Sequence, residues 1–144
     1  MPSGVTDYGA NAWLGVALAV TDPIDGYYIA LCTVEPGIDF DGDILADVEP
    51  ADGAYARQLY ASGPTNWGTD GSYGTNLLEI DFGVPTVDWG FLPYYALCTA
   101  ATSGDLYSFG EFLSPEYVQA GAPVVIPAGG IVLGLASVQD SIAV

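Results

Sequence analysis

Apolar residues along this chain fall in short runs separated by clusters of Gly, Pro, Asn and Asp, the punctuation of strands and tight turns. The clearest alternation is "NLLEIDFG" (76–83), where Leu78, Ile80 and Phe82 interleave with Glu79 and Asp81 and predict a half-solvated strand. "GYYIALCTV" (26–34) alternates only weakly and is dense in aromatic and β-branched residues, as a strand covered on both faces would be. "AYARQLYA" (54–61) predicts a strand with Tyr55, Arg57 and Leu59 on one face and Ala54, Ala56, Gln58 and Tyr60 on the other.

Residues 8–20, "YGANAWLGVALAV", predict one short N-terminal helix, with Thr6 or Asp7 as its cap and Asp22-Pro23 as its stop; a strand is the competing reading. The helix is apolar nearly all round and should pack into the domain or a partner. An acidic loop (35–53) and a Gly- and Asn-rich connection (62–75) flank the strand at 54–61. "VPTVDWG" (84–90) leads to "FLPYYALCT" (91–99), and "SGD" (103–105) reads as a tight turn into "LYSFGEFL" (106–113). Two or three more short strands around Gly121 and Gly129-Gly130 close the chain. The expected fold is all-β: one domain over 1–144, with an antiparallel sandwich of about seven or eight short strands over 26–137.

One internal echo stands out, "YYIALCTVEPG" (27–37) against "YYALCTAATSG" (94–104). Either two core strands converged on similar packing residues, or they occupy matching places in the sandwich, where Cys32 and Cys98 would be neighbours. Free buried thiols and a disulfide both stay open, because a bridge needs Cα atoms within about 7 Å.

Composition narrows the function more than the fold. Nineteen Gly and ten Pro argue against a helical bundle, and 51% apolar residues suffice for a core burying roughly two thirds of the unfolded chain's surface. The net charge of −17, with one basic residue, leaves nothing to neutralise phosphates, so neither nucleic acid nor an anionic membrane is an expected partner. Residues 1–11 lack the basic start of a secretory signal. The apolar runs at 12–20 and 124–136 are too short or too interrupted to span a bilayer, which needs about 20 apolar residues.

Little of the sequence could do chemistry. There is no His for a nucleophilic triad, no Cys or His pair at zinc spacing, and no phosphate-cradling Gly loop. Glu79, Glu111 and Glu116 could be paired as glycosidase carboxylates only without any signature, so no enzyme and no catalytic residue is expected. Nine of the 18 acids lie between Asp22 and Asp52, and Asp39, Asp41 and Asp43 are candidate Ca²⁺ ligands. The run lacks the Gly at position six and the Glu at position twelve of an EF-hand, so a solvated acidic loop competes with an irregular cation site. No other cofactor is expected.

Arg57 is the single basic side chain. On a strand it can lay its stem over apolar surface and give its planar fork to a carboxylate, either in the adjacent acidic loop or at Glu79 or Asp81. A structural role and a reach across a subunit contact both fit.

"GAYARQ" (53–58), "NLLEIDF", Trp89-Gly90, "ALCTAATSGDLYSFGEF" and "VQAGAPVVIPAGGIVLGL", in that order, resemble a family of small virion proteins of tailed phages. Its members are tail-fibre or minor tail proteins with a β-sandwich fold. The resemblance implies a virion structural role without enzymatic activity, assembly in the host cytoplasm, a homo-oligomer, and other virion structural proteins as partners. Arg57 and Gln58 match the family's "RQ" pair and Trp89 its "WG" turn, which makes these three the implied structural or interface residues.

The leading expectation is a minor tail, tail-tip or fibre-associated protein that mediates assembly. A capsid decoration protein would need the same sandwich and a different neighbour. A carbohydrate-binding module in host adsorption would use Trp67 and Tyr73, in the 62–75 connection, as stacking platforms for a sugar.

Overall fold

Twelve short strands and two short helices make up the computed structural model, which describes residues 3–70, 73–115 and 117–134. Their order is β1 (Ser3–Val5), α1 (Asp7–Ala17), β2 (Gly26–Cys32), α2 (Gly42–Ala46), β3 (Gln58–Ala61), β4 (Trp67–Asp70) and β5 (Tyr73–Asn76). Then follow β6 (Ile80–Gly83), β7 (Gly90–Phe91), β8 (Tyr94–Cys98), β9 (Leu106–Glu111), β10 (Tyr117–Val118), β11 (Val124–Ile126) and β12 (Val132–Gly134). The fold is all-β, with every paired ladder antiparallel.

The main layer is a five-stranded sheet in the order β1-β9-β8-β2-β3. Its central strands β2 and β8 are apolar at odd and even positions alike, so both of their faces must be covered. One face carries Ile29, Leu31, Tyr95 and Leu97 into a core shared with Ile80 and Phe82 of β6 and Ile126 of β11. β6 and β11 pair with each other in one short antiparallel ladder, and a second ladder, β4-β5-β12, packs Trp67 and Leu133 against the same core. The other face carries Ala30, Cys32, Ala96 and Cys98 and is covered by Leu45 of α2 together with Phe40 and Val48. Each fully buried Leu or Ile contributes about 1.5–3 kcal/mol.

The echo at 27–37 and 94–104 consists of β2 and β8, side by side. Their register sets Tyr28 opposite Cys98 and Cys32 opposite Tyr94. The two cysteines therefore stand four positions apart on the ladder, and both are free and buried.

Helix α1 starts where Thr6 caps it: the hydroxyl accepts from the Gly9 amide at 3.0 Å. The same hydroxyl faces the carbonyls of Leu106 and Tyr107 in β9, which pins the helix to the sheet. Gly9 makes the approach close, since a Cβ there would lie 1.9 Å from the Tyr107 oxygen. The helix ends at Ala17, before the expected stop at Asp22-Pro23. Ala19 adopts a left-handed φ of 57°, and the amides of Ala19 and Val20 close back on the carbonyls of Val16 and Gly15. No described helix is long and apolar enough to cross a membrane.

Several expectations shift. The acidic loop 35–53 is not simply solvated, because Leu45 anchors a second helix, α2, on the sheet. The strand at 54–61 is paired only from Gln58, opposite Ile29, and the predicted parity fails: Arg57 and Tyr60 are buried and Leu59 is 61% exposed. The connection 62–75 holds the β4–β5 hairpin. Leu78 is exposed ahead of β6, where Ile80 and Phe82 are buried as the alternation requires. Glu116 and positions 135–137 of the expected sandwich lie outside the described residues.

Candidate functional site

Arg57 sits at the point where the α2 segment meets the main sheet, and its guanidinium is nearly withdrawn from water. It forms an ion pair with Glu49 at 2.7 Å, the two side chains being 3% and 7% exposed. Nε also donates to both Glu49 oxygens, at 3.0 and 3.2 Å. The other Nη2 proton goes to the Gly42 carbonyl at 3.0 Å, and Nη1 donates to Ala100 at 3.1 Å and Ser103 at 3.0 Å. All five guanidinium donors thus have acceptors, the condition under which a buried cation is tolerated.

Tyr55 completes the cluster. Its hydroxyl donates to Glu49 at 2.5 Å and accepts the Leu31 amide of β2 at 3.0 Å. Burial, followed by the adjacent Glu49 charge, pushes the phenol far above its ordinary range, so it stays a donor. The cluster therefore joins β2, the α2 segment, the approach to β3 and the β8–β9 turn. Gly42 permits the docking of α2, since a Cβ there would lie 1.7 Å from the Ser103 oxygen. In the turn itself, Ser103 and Gly104 adopt φ of 53° and 75°.

A second cluster gathers around Asp52. Its carboxylate accepts the Thr86 hydroxyl at 2.5 Å, the Thr86 amide at 2.9 Å, the Trp89 indole at 2.8 Å and the Ala54 amide at 3.0 Å. The Thr86 hydroxyl first, then the Ala54 amide and the indole, hold this carboxyl well below the usual carboxylate range. Trp89 is buried and meets Tyr55 edge-on at 5.3 Å, while Tyr55 stacks on Phe82 at 6.2 Å. Tyr55 thereby links the two clusters.

The implied residues Arg57 and Trp89 thus lie one in each cluster. Gln58 turns away, and its amide donates to the Ala56 carbonyl at 2.9 Å. The three candidate Ca²⁺ ligands are not brought together. Asp41 caps α2 through the amides of Asp43 and Ile44, Asp43 accepts the Ser103 hydroxyl at 2.7 Å, and Asp39 is exposed. Among the described residues no three His, Cys, Asp or Glu side chains group as a metal site. Trp67 and Tyr73 do not form one platform either. Trp67 is paired with Asn76, three positions from Tyr73, so the two rings point to opposite faces of the hairpin. The Trp67 ring is half-buried, edge-on to Tyr60 at 5.0 Å and Tyr27 at 6.0 Å, whereas Tyr73 is exposed.

Glu49 and Asp52 carry the two clusters, and sequence reasoning did not single them out. The available signal was local: Asp52-Gly53 is a turn pair, and Glu49 is an acid within reach of Arg57 on the same connection. With Arg57 enclosed, every other acid in the chain stands without a basic side chain to answer it. The arrangement is a densely hydrogen-bonded interior under an anionic exterior.

A family model described as podophage GP4 fiber I protein gp80 matches residues 4–134, and the chain belongs to that family. No curated protein matches it. Membership makes this chain a structural protein of a tailed-phage virion, in contact with other virion components.

Proposed function

We propose, from its place in this fibre family, that the chain is a minor tail protein at the tail tip or fibre attachment, where it mediates assembly. The observation that carries this reading is the enclosure of Arg57. The chain's one basic side chain is buried against Glu49, so no basic side chain remains to balance the surface acids. Such a surface favours basic or uncharged neighbours and repels other anions. The clusters at Glu49 and Asp52 supply the rigid scaffold that a load-transmitting adaptor needs. Copies of the chain assemble into a homo-oligomer through apolar contacts, because identical anionic surfaces cannot close ion pairs with each other. A fibre family favours the tail over the capsid shell as the location.

Cryo-electron microscopy of the intact virion tests the assignment. Density for this chain at the tail tip or fibre base is the expected result, and density repeated over the capsid lattice would refute it. Sedimentation of the purified protein tests the contact chemistry. Self-association should strengthen as salt screens the repulsion, whereas a contact made of ion pairs would weaken.

A further inference from the structure

Resting on the homo-oligomeric fibre reading, we infer that copies of the chain exchange their N-terminal arms, β1 and α1, each arm docking on β9 of a neighbouring copy. The arm is a separable piece. It holds to the body by the β1–β9 ladder, by Thr6 and Gly9 against Leu106 and Tyr107, and by Trp13. The Trp13 ring lies parallel to Tyr107 at 6.3 Å, and its indole donates to the Tyr27 hydroxyl at 3.1 Å. The arm of a second copy makes the same contacts, so the hinge between arm and body decides which copy supplies it.

That hinge, residues 18–25, is poorly suited to folding back. Ala19 takes a left-handed φ of 57° at the position after a helix where Gly is usual, in a chain with nineteen Gly elsewhere. The turn leaves Leu18 65% and Val20 77% exposed. The apolar helical run also continues to Val20 and meets its first proline only at Pro23, so the turn ends α1 where the residues would not.

In the open form α1 runs on through Val20 and Ala19 relaxes to right-handed backbone. Leu18 then falls four positions after Leu14, itself 58% exposed, on one face of the lengthened helix. Two such helices, side by side in an exchanged pair, cover each other's leucines. Charge permits this contact between two copies of net charge −17: Asp7 is the only charged residue in 3–17, its side chain is exposed, and residues 106–110 of β9 carry no charge.

The test uses complete virions carrying Val5→Cys and Ser108→Cys, positions that face each other across the β1–β9 ladder at a separation suited to a disulfide. After oxidation with diamide and denaturation, the expected product is a covalent multimer of this chain, bridged between positions 5 and 108 and returned to monomer by reductant. Bridged monomers alone would overturn the inference. Should the cysteine variant fail to fold, Ala19→Gly keeps the turn and removes its left-handed cost. Sedimentation of that purified chain should show self-association about tenfold weaker for each arm exchanged, and an unchanged or stronger association would overturn the exchange. Failure of the homo-oligomer reading looks different: the parent chain then sediments as a monomer at every concentration. A parent that self-associates while its bridges all lie within one chain refutes the arm exchange alone.

Discussion

Replacing Arg57 with Met tests whether the buried ion pair holds the fold together or merely accompanies it. Met keeps much of the apolar stem and removes every guanidinium donor. Glu49, 7% exposed, would then retain only the Tyr55 hydroxyl, and the carbonyls of Gly42, Ala100 and Ser103 would each lose a donor. Removing one partner of a buried pair costs about 3–5 kcal/mol, chiefly because an uncompensated charge stays behind. That is a large part of the roughly 5–15 kcal/mol that stabilises a typical domain. Urea unfolding followed by tryptophan fluorescence reads it directly: with a slope of about 2 kcal/mol/M, the midpoint should fall by about 2 M. The mechanism makes a second demand. The double variant Arg57→Met, Glu49→Leu leaves no orphan charge and should recover much of the loss, so the two substitutions must be non-additive. A loss below about 1 kcal/mol for Arg57→Met, or additivity in the double variant, would refute the reasoning.

Three further outcomes follow from the same geometry. The Asp52 carboxyl is depressed in the folded state, so its contribution to stability is present above the unfolded pKa of about 3.9 and is lost as pH falls toward the folded value; thermal melts between pH 5 and pH 2 should show a shallower acid loss in Asp52→Asn than in the parent. Gly42→Ala places a Cβ against the Ser103 carbonyl and should cost about 1–3 kcal/mol as α2 is forced off the turn, read as a lower melting temperature. Burial raises the Cys32 thiol well above its ordinary value and pushes Cys98 up to about 12, so neither should react with a thiol reagent at pH 8 until urea unfolds the chain, when both should; a disulfide found by mass spectrometry would contradict the register.

Gly42→Ala also shows why the candidate site was only half legible in sequence. A glycine inside an acidic run reads as loop. Its purpose lies in a carbonyl sixty-one positions later, 1.7 Å from where a Cβ would sit. The places of Asp39, Asp41 and Asp43 were hidden for a related reason. Spacing shows which carboxylates are near in the chain, but not that Asp41 caps a helix and Asp43 answers Ser103.

By itself the sequence determined what depends on neighbours a few residues apart. The all-β class, a cap for α1 at Thr6 or Asp7, the doubly buried strand β2, the alternation of Ile80 and Phe82, and the turn at 103–105 follow from side-chain period and local backbone preference. The lone Arg among 18 acids likewise announced a buried or bridging role. Tertiary structure alone decided which acid Arg57 takes, that the acidic stretch folds over the sheet, that Trp67 packs inward, and that β2 and β8 pair in a register separating their cysteines. Those outcomes turn on desolvation and on contacts between distant segments. Many carboxylates could satisfy the same guanidinium, and only packing chooses Glu49.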